Sequence, residues 1–177
     1  MTDSAPLNPP SPFIAGWVRR VAGECAPGSL ALDFAMGRGR HALVLAEHGF
    51  RVVGIDIQFD AVSRAMRTAQ AHGLRIAGVC ADLTTLPLPA ECFETIVVTR
   101  YLDRTMFPSF QRALVPGGVL LYETFTERQR ELGRGPTSRA HLLRPGELRT
   151  LVRGMDVLFD EECATPDAVA RIAARKR

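Results

Sequence analysis

The chain has 177 residues, 46% of them apolar, which suffices for one domain with a buried core. Its formal net charge of +3 comes from basic residues that are all arginine except Lys176, and charges of both signs are interspersed, so composition does not favour a nucleic-acid-binding protein. The four cysteines have no C-x-x-C spacing, so they imply neither a metal site nor a disulfide framework. We expect a cytoplasmic protein without a membrane partner, because free thiols persist in a reducing compartment and no apolar run reaches membrane-spanning length.

The beginning of the chain differs in composition from the rest. Residues 1–12 contain four prolines among small polar residues, and we expect them to form a flexible arm. Residues 13–177 then form a single domain. Apolar residues recur at helical spacing between Phe13 and Val21, which predicts a helix that packs on a sheet, closes over a ligand, or does both.

A strand, a glycine turn and a helix follow in that order. The run 30–34 has the character of a buried strand, Gly37 and Gly39 break it, and a helical pattern begins at Arg40. This order is typical of the nucleotide-binding corner of a doubly wound sheet. The glycine spacing fits G-x-G-x-x-A, and Asp56 follows about twenty residues later, where a carboxylate binds ribose hydroxyls.

Asp33 ends the first strand directly before the glycine turn, and we expect it to face the ligand. A pyrophosphate at that position would be repelled by the carboxylate. S-adenosylmethionine instead offers a positively charged ammonium group and a sulfonium, and it has no phosphate. The acidic corner therefore favours this methyl donor over a nicotinamide dinucleotide.

Residues 33–39 resemble the D-x-G/A-x-G-x-G motif of class I S-adenosylmethionine-dependent methyltransferases, and the continuation G-R-H-A resembles small bacterial members of the tellurite-resistance-like type. Met36 stands where that family often has cysteine, and Ala35 where it often has glycine. The resemblance extends over the chain from about Phe13. It implies an α/β fold, a Rossmann-like doubly wound sheet of seven mostly parallel strands with an antiparallel strand added by a C-terminal hairpin.

The first three strands share a pattern. The second and third are predicted at residues 51–56 and 74–79, and Asp56 and Asp82 then recur at strand ends as Asp33 does. The repetition favours ligand contacts over loop caps. The resemblance implies S-adenosylmethionine as cofactor and S-adenosylhomocysteine as product, held by Asp33, Ala35, Gly37, Gly39, Asp56, Ile57, Ala81, Asp82, Leu83, Arg100 and Tyr101.

The second half of the chain predicts four further strands, at residues 94–99, 119–123, 155–161 and 168–174. A Pro-Gly-Gly turn at 116–118 leads into the second of these strands. Residues 126–139 are polar, charged and rich in glycine, so we expect a mobile loop over the strand ends. Pro145 is placed to start a helix.

The acceptor side is less well specified. His41, Tyr101 and Glu123 are candidates for a general base, although His41 has the alternative role of a hydrogen-bond partner near the cofactor carboxylate. His141 and Arg144 are candidates for binding an acidic substrate; Arg144 has the alternative role of holding the loop to the next helix.

The sequence therefore predicts a methyltransferase with a small-molecule acceptor. The fourth strand ends in Thr99-Arg100-Tyr101, which lacks the [DNS]-P-P-[YF] motif used to methylate amino groups of bases or glutamine. The alternatives are a non-catalytic or regulatory S-adenosylmethionine-binding protein, an RNA methyltransferase and a nicotinamide-dependent oxidoreductase. The sequence identifies neither the acceptor nor the oligomeric state.

Overall fold

The computed structural model describes residues 7–177, so the first six residues of the predicted arm lie outside the described part. Seven strands form one sheet in the order β3-β2-β1-β4-β5-β7-β6. The strands are β1 Leu30–Phe34, β2 Arg51–Asp56, β3 Ile76–Cys80, β4 Phe93–Thr99, β5 Leu114–Phe125, β6 Asp156–Cys163 and β7 Val169–Arg175. Strands β1 to β5 pair in parallel, and β7 pairs antiparallel with both β5 and β6. The predicted doubly wound fold and its antiparallel hairpin are confirmed.

Five α-helices connect or cover these strands. They are α1 Pro12–Ala22, α2 Arg40–Glu47, α3 Phe59–Ala71, α4 Phe107–Ala113 and α5 Glu147–Leu151. Three short 3₁₀ helices lie between them, at Arg104–Met106, Glu127–Leu132 and Arg139–His141. Within residues 7–177 no helix is both long and apolar enough to span a membrane.

Both faces of the sheet are buried. Alternate residues of one strand enter different clusters of the core: in β1, Ala31 packs against α1, α2 and α3, whereas Leu32 joins the cluster that includes α4 and α5. In β4, Val97 belongs to the same cluster as Ala31, and Ile96 belongs to the same cluster as Leu32. Side chains alternate across a strand, so a sheet covered on both faces reads as continuous apolar runs in the sequence.

The first helix packs on the sheet as the spacing predicts. Ile14, Val18 and Val21 are buried in the same cluster as α2 and α3. On the outer side of α1, the Phe13 ring stacks on Phe159 of β6, with 5.4 Å between the ring centroids. This contact joins the start of the chain to the edge strand of the sheet.

Several predicted boundaries are wrong. The third strand begins at Ile76, because Leu74 is bonded through its amide to Ala69 at the end of α3. Residues 116–118 are not a separate turn; they lie inside β5, where the Gly117 amide donates to Lys176 and the strand register shifts. Helix α5 begins at Glu147, after Gly146 in a left-handed conformation, and not at Pro145.

Helix α4 was not predicted from the sequence. Its signal was present, since Phe107, Phe110 and Ala113 recur every third residue and a proline lies in the first turn. Phe110 contacts Phe34 edge-to-face at 5.0 Å, and Phe107 stacks on Tyr122 at 4.9 Å between centroids. These aromatic contacts fix the ends of β1 and β5 beneath the site.

The segment after β5 has an anchor that the sequence did not predict. Gln129 is 1% exposed, its Oε1 accepts a hydrogen bond from the Ala168 amide at 2.7 Å, and its Nε2 donates to the Arg134 carbonyl at 3.1 Å. The sequence predicts a mobile loop at residues 126–139 and gives no sign of this polar anchor. Gln129 fastens this segment to the connection between β6 and β7.

Candidate functional site

The carboxyl ends of β1, β2 and β4 meet at one edge of the sheet and open into a cavity of about 390 Å³, called the central cavity below. Ligands of doubly wound sheets bind at this edge. The central cavity is lined by Leu7, Asn8, Ala35, Met36, Gly37, Arg38, Arg40, Asp56, Thr99, Arg100 and Tyr101.

Asp56 connects the ends of β1 and β2. Its Oδ2 accepts a hydrogen bond from the Gly37 amide at 2.7 Å, and its Oδ1 accepts one from the Gln58 amide at 2.9 Å. The side chain is 9% exposed, and that exposed part faces the central cavity. A carboxylate fixed in this way retains lone pairs for the hydroxyl groups of a ligand.

The two glycines of the turn serve different purposes. A Cβ on Gly37, at φ +54°, would meet no atom within 4 Å, and Gly37 lines the cavity. A Cβ on Gly39, at φ +81°, would lie 2.6 Å from the Cβ of Ala65 in α3. Gly37 therefore leaves room for a ligand, whereas Gly39 lets α2 and α3 approach each other.

Asp33 lies behind the wall of the cavity and not in it. Its side chain is fully buried, and neither carboxyl oxygen has a hydrogen-bond partner in the described part of the chain. Burial raises the pKa of Asp33 to about 7, although the Ala42 amide and the Arg40 guanidinium favour the charged form. This carboxyl lacks the partner that buried polar groups usually have.

Four further residues predicted to hold the cofactor lie outside the lining of the central cavity. Asp82 is exposed, and its Oδ1 accepts hydrogen bonds from the Thr84 amide at 2.9 Å and the Thr84 hydroxyl at 2.7 Å. The hydrogen bond from the Thr84 amide is the main reason why the pKa of Asp82 is lowered. Leu83 is buried, whereas Ile57 is 60% exposed beside the end of β2 and so presents an apolar surface. Ala81 is half-buried.

His41 is 1% exposed and belongs to a buried hydrogen-bond chain. Its Nε2 accepts from the Ser11 amide at 3.1 Å, so Nδ1 carries the proton and donates to the Thr99 hydroxyl at 3.2 Å. Burial, reinforced by Arg40 and Arg100, lowers the pKa of His41 to about 3. The imidazole is neutral at physiological pH, and both its nitrogens are occupied.

Glu123 extends this chain at the end of β5. Its Oε2 accepts from the Ser11 hydroxyl at 2.9 Å and from Nε of Arg171 at 2.6 Å. The guanidinium of Arg40 also donates to the Pro9 carbonyl at 3.3 Å. Residues 7–11 are therefore fastened to the ends of β4 and β5 and form one wall of the central cavity. The sequence suggested only a flexible arm here, since its apolar content gave no sign of these polar contacts.

A second cavity of about 760 Å³, the outer cavity, adjoins the first. It lies between the end of β4 and the segment that follows β5, and it shares Arg100 and Tyr101 with the central cavity. Its lining consists of Thr84, Arg100, Tyr101, Leu102, Asp103, Arg104, Thr105, Phe125, Pro136, Ala140 and His141. Of the two residues predicted to bind substrate, His141 is in this lining, whereas Arg144 is exposed and donates its amide to Glu147 at 2.8 Å.

Arg104 holds the wall of the outer cavity together. Its Nε and one terminal nitrogen bind the two oxygens of Glu147 at 2.7 and 2.9 Å, and its guanidinium also donates to the carbonyls of Ala140 and Leu142. Glu147 is the main cause that raises the pKa of Arg104. This bidentate pair joins the end of β4 to α5 across the cavity wall.

Residues 31–118 match the model of the methyltransferase domain family. The chain therefore contains a methyltransferase domain. It is 30% identical over 125 residues to malonyl-[acyl-carrier protein] O-methyltransferase of Herminiimonas arsenicoxydans, covering 64% of this chain and 46% of that protein. It is 34% identical over 119 residues to demethylmenaquinone methyltransferase of Thermus thermophilus, covering 62% and 54%.

The fold of this chain has counterparts among solved structures. An S-adenosylmethionine-dependent methyltransferase from Mesorhizobium loti superposes with a TM-score of 0.70 at 20% identity, covering 92% of this chain and 98% of that one. The chain spans about half the length of the curated relatives it matches. S-adenosylmethionine is the cofactor of this family.

Proposed function

We propose that this protein transfers a methyl group from S-adenosylmethionine to a small-molecule acceptor. The observation that carries the proposal is the pair of adjoining cavities that share Arg100 and Tyr101. One cavity lies at the glycine turn where this family holds its cofactor, and the other offers space for a second molecule. Both volumes are in the range of small-molecule sites, about 300–1,000 Å³.

The residues present fit this cofactor. Asp56 has lone pairs directed at the central cavity for ribose hydroxyls, and Gly37 leaves the space that a Cβ would fill. Asp33, which the sequence led us to expect in direct contact with the ligand, lies behind the cavity wall, and the charged form of its buried carboxyl would attract the cofactor's ammonium group across that wall. We assign Ile57 and Asp82 to adenine, since the exposed apolar side chain can pack on the ring and the carboxylate can accept from its amino group.

When bound, the cofactor supplies a methyl group on a positively charged sulfur. The protein must then hold the acceptor atom in line with the bond between the methyl carbon and sulfur, exclude water, and accommodate the loss of positive charge on sulfur. Thr99, Arg100 and Tyr101 follow one another at the end of β4, where the two cavities meet. Of the three candidate bases, Tyr101 is in the lining of both cavities, whereas His41 and Glu123 are engaged in the chain that holds residues 7–11.

The alternative of a binding protein without catalysis predicts a cofactor pocket alone, and the outer cavity argues against it. The comparisons support a methyltransferase and give no support to a nicotinamide-dependent enzyme. They identify neither the tellurite-resistance-like subtype nor the acceptor, because the relatives act on varied substrates.

Thermal unfolding tests the cofactor assignment. We expect S-adenosylhomocysteine to raise the melting temperature and NAD to leave it unchanged, because a ligand that binds only the folded state stabilises it. Equal stabilisation by NAD would contradict the proposal.

Replacement of Asp56 tests the ribose contact. We expect Asp56→Ala to weaken S-adenosylhomocysteine binding by about 1–3 kcal/mol, the cost of leaving charged hydrogen-bond partners unmade, measured by calorimetry. Asp60→Ala is the matched control, because Asp60 is an exposed carboxylate only four residues away in α3. Unchanged affinity in Asp56→Ala would show that Asp56 does not hold the ribose.

A further inference from the structure

Arg100 occupies the junction of the two cavities in an unusual backbone conformation. Its φ of +55° is rare for a residue with a side chain, and its amide donates to the Glu123 carbonyl at 2.9 Å. Its guanidinium lies over the Phe125 ring, 5.6 Å from the centroid, and its side chain is 48% exposed. The fold therefore holds a cation at the boundary between the central and the outer cavity.

This junction carries more positive than negative charge. Arg40 lines the central cavity beside Arg100, whose proximity contributes to the lowered pKa of Arg40 after the larger effect of burial. Asp167 lies 3.6 Å from Arg100 but only 3.0 Å from Arg134, so two guanidinium groups share one carboxylate. The cofactor brings a further net positive charge, and an anionic acceptor would compensate it.

The carboxylates in and near the two cavities have other roles. Asp56, in the lining of the central cavity, is fixed by two backbone amides and is assigned to the cofactor's ribose. Asp103, in the lining of the outer cavity, accepts from the amide and the hydroxyl of Thr105. Glu123 lines neither cavity and accepts from Ser11 and Arg171. Among these three carboxylates, none is therefore well placed to remove a proton from an acceptor.

Tyr101 is also unsuited to the role of a base. Burial, with Asp103 and Asp82 as further causes, raises the pKa of the Tyr101 phenol, so it stays protonated at neutral pH. Alcohols and phenols must lose a proton when they are methylated, and in the lining of the outer cavity His141 is the side chain that could accept it. A carboxylic acid, with an ordinary pKa of about 4, reaches the site already deprotonated.

We propose that the acceptor is a carboxylic acid with an apolar body and that the reaction forms a methyl ester. Arg100 binds one carboxylate oxygen, and the body lies in the outer cavity against Leu102, Phe125 and Pro136. The other oxygen attacks the methyl carbon, the O–C bond forms as the C–S bond breaks, and the electron pair stays on sulfur. The anion becomes a neutral ester, the sulfonium becomes a neutral thioether, and no proton is released.

The chemical stability of the transferred label tests this inference, which rests on the proposed methyl transfer. The protein is incubated with S-adenosylmethionine labelled in the methyl group and a bacterial cell extract, which is then separated into small molecules and macromolecules. Methyl esters release volatile methanol in mild alkali, whereas methyl groups on nitrogen, sulfur, carbon or ether oxygen do not. We expect alkali-labile label in the small-molecule fraction.

A binding measurement that does not depend on turnover examines Arg100 directly. With S-adenosylhomocysteine present, benzoate, phenylacetate and 3-phenylpropionate are compared with their neutral amides by calorimetry. We expect at least one acid to bind more tightly than its amide and Arg100→Gln to remove that preference, about tenfold or more for a lost charged hydrogen bond. Arg153→Gln is the control, because Arg153 is exposed and outside the lining of both cavities.

The outcomes of the labelling and binding experiments test different parts of the proposal. Alkali-stable label would overturn the ester while leaving methyl transfer intact, and label in protein or RNA would overturn the small acid as acceptor. Equal binding of acids and amides, or a loss of S-adenosylhomocysteine affinity in Arg100→Gln as large as the loss of acid binding, would overturn the role of Arg100. No transfer to any fraction would instead contradict the proposed function itself.

Discussion

The two halves of the site are built in different ways. At the ends of β1, β2 and β3, the contacts join residues close in sequence: Asp56 binds amides 19 and 2 residues away, and Asp82 binds Thr84, 2 residues away. At the ends of β4, β5 and β7, the contacts join distant residues: Glu123 binds Arg171, 48 residues later, and Ser11, 112 residues earlier. The glycine turn and the carboxylates beside it therefore form with their turns, whereas the wall made by residues 7–11 and the acceptor half require the complete fold.

This difference has consequences for substitutions. A change in the cofactor half alters one turn and the affinity for its ligand. A change in the acceptor half loosens elements that only side chains hold together, as Arg104 does by binding Glu147 and two backbone carbonyls. The following substitutions test this contrast, in order of decreasing effect.

The largest effect is expected from Asp33→Asn. The pKa of Asp33 in the folded state, about 7, lies above the ordinary value of 3.8, so its contribution to stability is complete below about pH 4 and is lost as pH rises to 7. Asn carries no charge, so we expect the free energy of unfolding of the variant to rise relative to that of the wild type as pH rises over this range. The gain reaches at most about 4 kcal/mol, from 1.36 kcal/mol per pKa unit. Urea unfolding between pH 4 and 8 measures it.

The contribution of His41 to stability changes with pH in the opposite direction and serves as an internal reference. Its folded-state pKa of about 3 lies below the ordinary 6.5, so its contribution grows as pH rises between these values, in both proteins. The difference between variant and wild type therefore isolates Asp33. We also expect S-adenosylhomocysteine to bind more weakly to the variant, since the partner of the ammonium loses its charge. A flat difference in stability across pH would contradict the burial of an ionisable carboxyl, and intact affinity would contradict its role in binding.

The two glycines of the turn give a matched pair. Gly39→Ala places a Cβ against Ala65 in addition to its positive φ, whereas Gly37→Ala has only the positive φ. We expect Gly39→Ala to lower the free energy of unfolding by about 2–4 kcal/mol and Gly37→Ala by about 1–2 kcal/mol. Urea unfolding of the apo protein measures both. A larger loss in Gly37→Ala would show that helix packing is not the reason for Gly39.

The features that the sequence predicts lie mostly in the cofactor half of the site. The glycine turn, Asp56 and the strands around them were predicted because each depends on a short pattern with a physical reason. Glycines adopt positive φ easily, and buried strands need apolar runs. The packing of Gly39 against α3 was nevertheless not predicted, because its neighbour Ala65 lies on another helix.

The acceptor half could not be predicted in the same way. The sequence suggested His41 and Glu123 as candidate bases, and no local pattern shows that Ser11 binds both of them. Gln129 looked like one polar residue among many in a mobile loop, because its partner Ala168 lies 39 residues later and becomes a neighbour only after β6 and β7 have formed. Contacts of this kind leave no periodicity in the chain.

The smallest effect is expected from Gln129→Ala, which tests whether the acceptor half depends on such a contact. The substitution leaves the Ala168 amide without its partner and frees the Arg134 carbonyl. We expect the free energy of unfolding to fall by about 1–2 kcal/mol. We also expect faster amide exchange over residues 126–135, measured by hydrogen exchange. Affinity for S-adenosylhomocysteine should remain within about twofold, since Gln129 does not line the central cavity.

Two variants separate this contact from a general weakening of the loop. Gln129→Glu keeps an oxygen for the Ala168 amide but places a buried carboxylate oxygen against the Arg134 carbonyl, so at neutral pH it should loosen the segment at least as much as Gln129→Ala does. Arg128→Ala changes an exposed neighbour on the same 3₁₀ helix and should leave exchange unaltered. Slow exchange in all three variants would mean that other contacts hold the segment. Reduced affinity for S-adenosylhomocysteine in Gln129→Ala would mean that the two halves of the site are coupled.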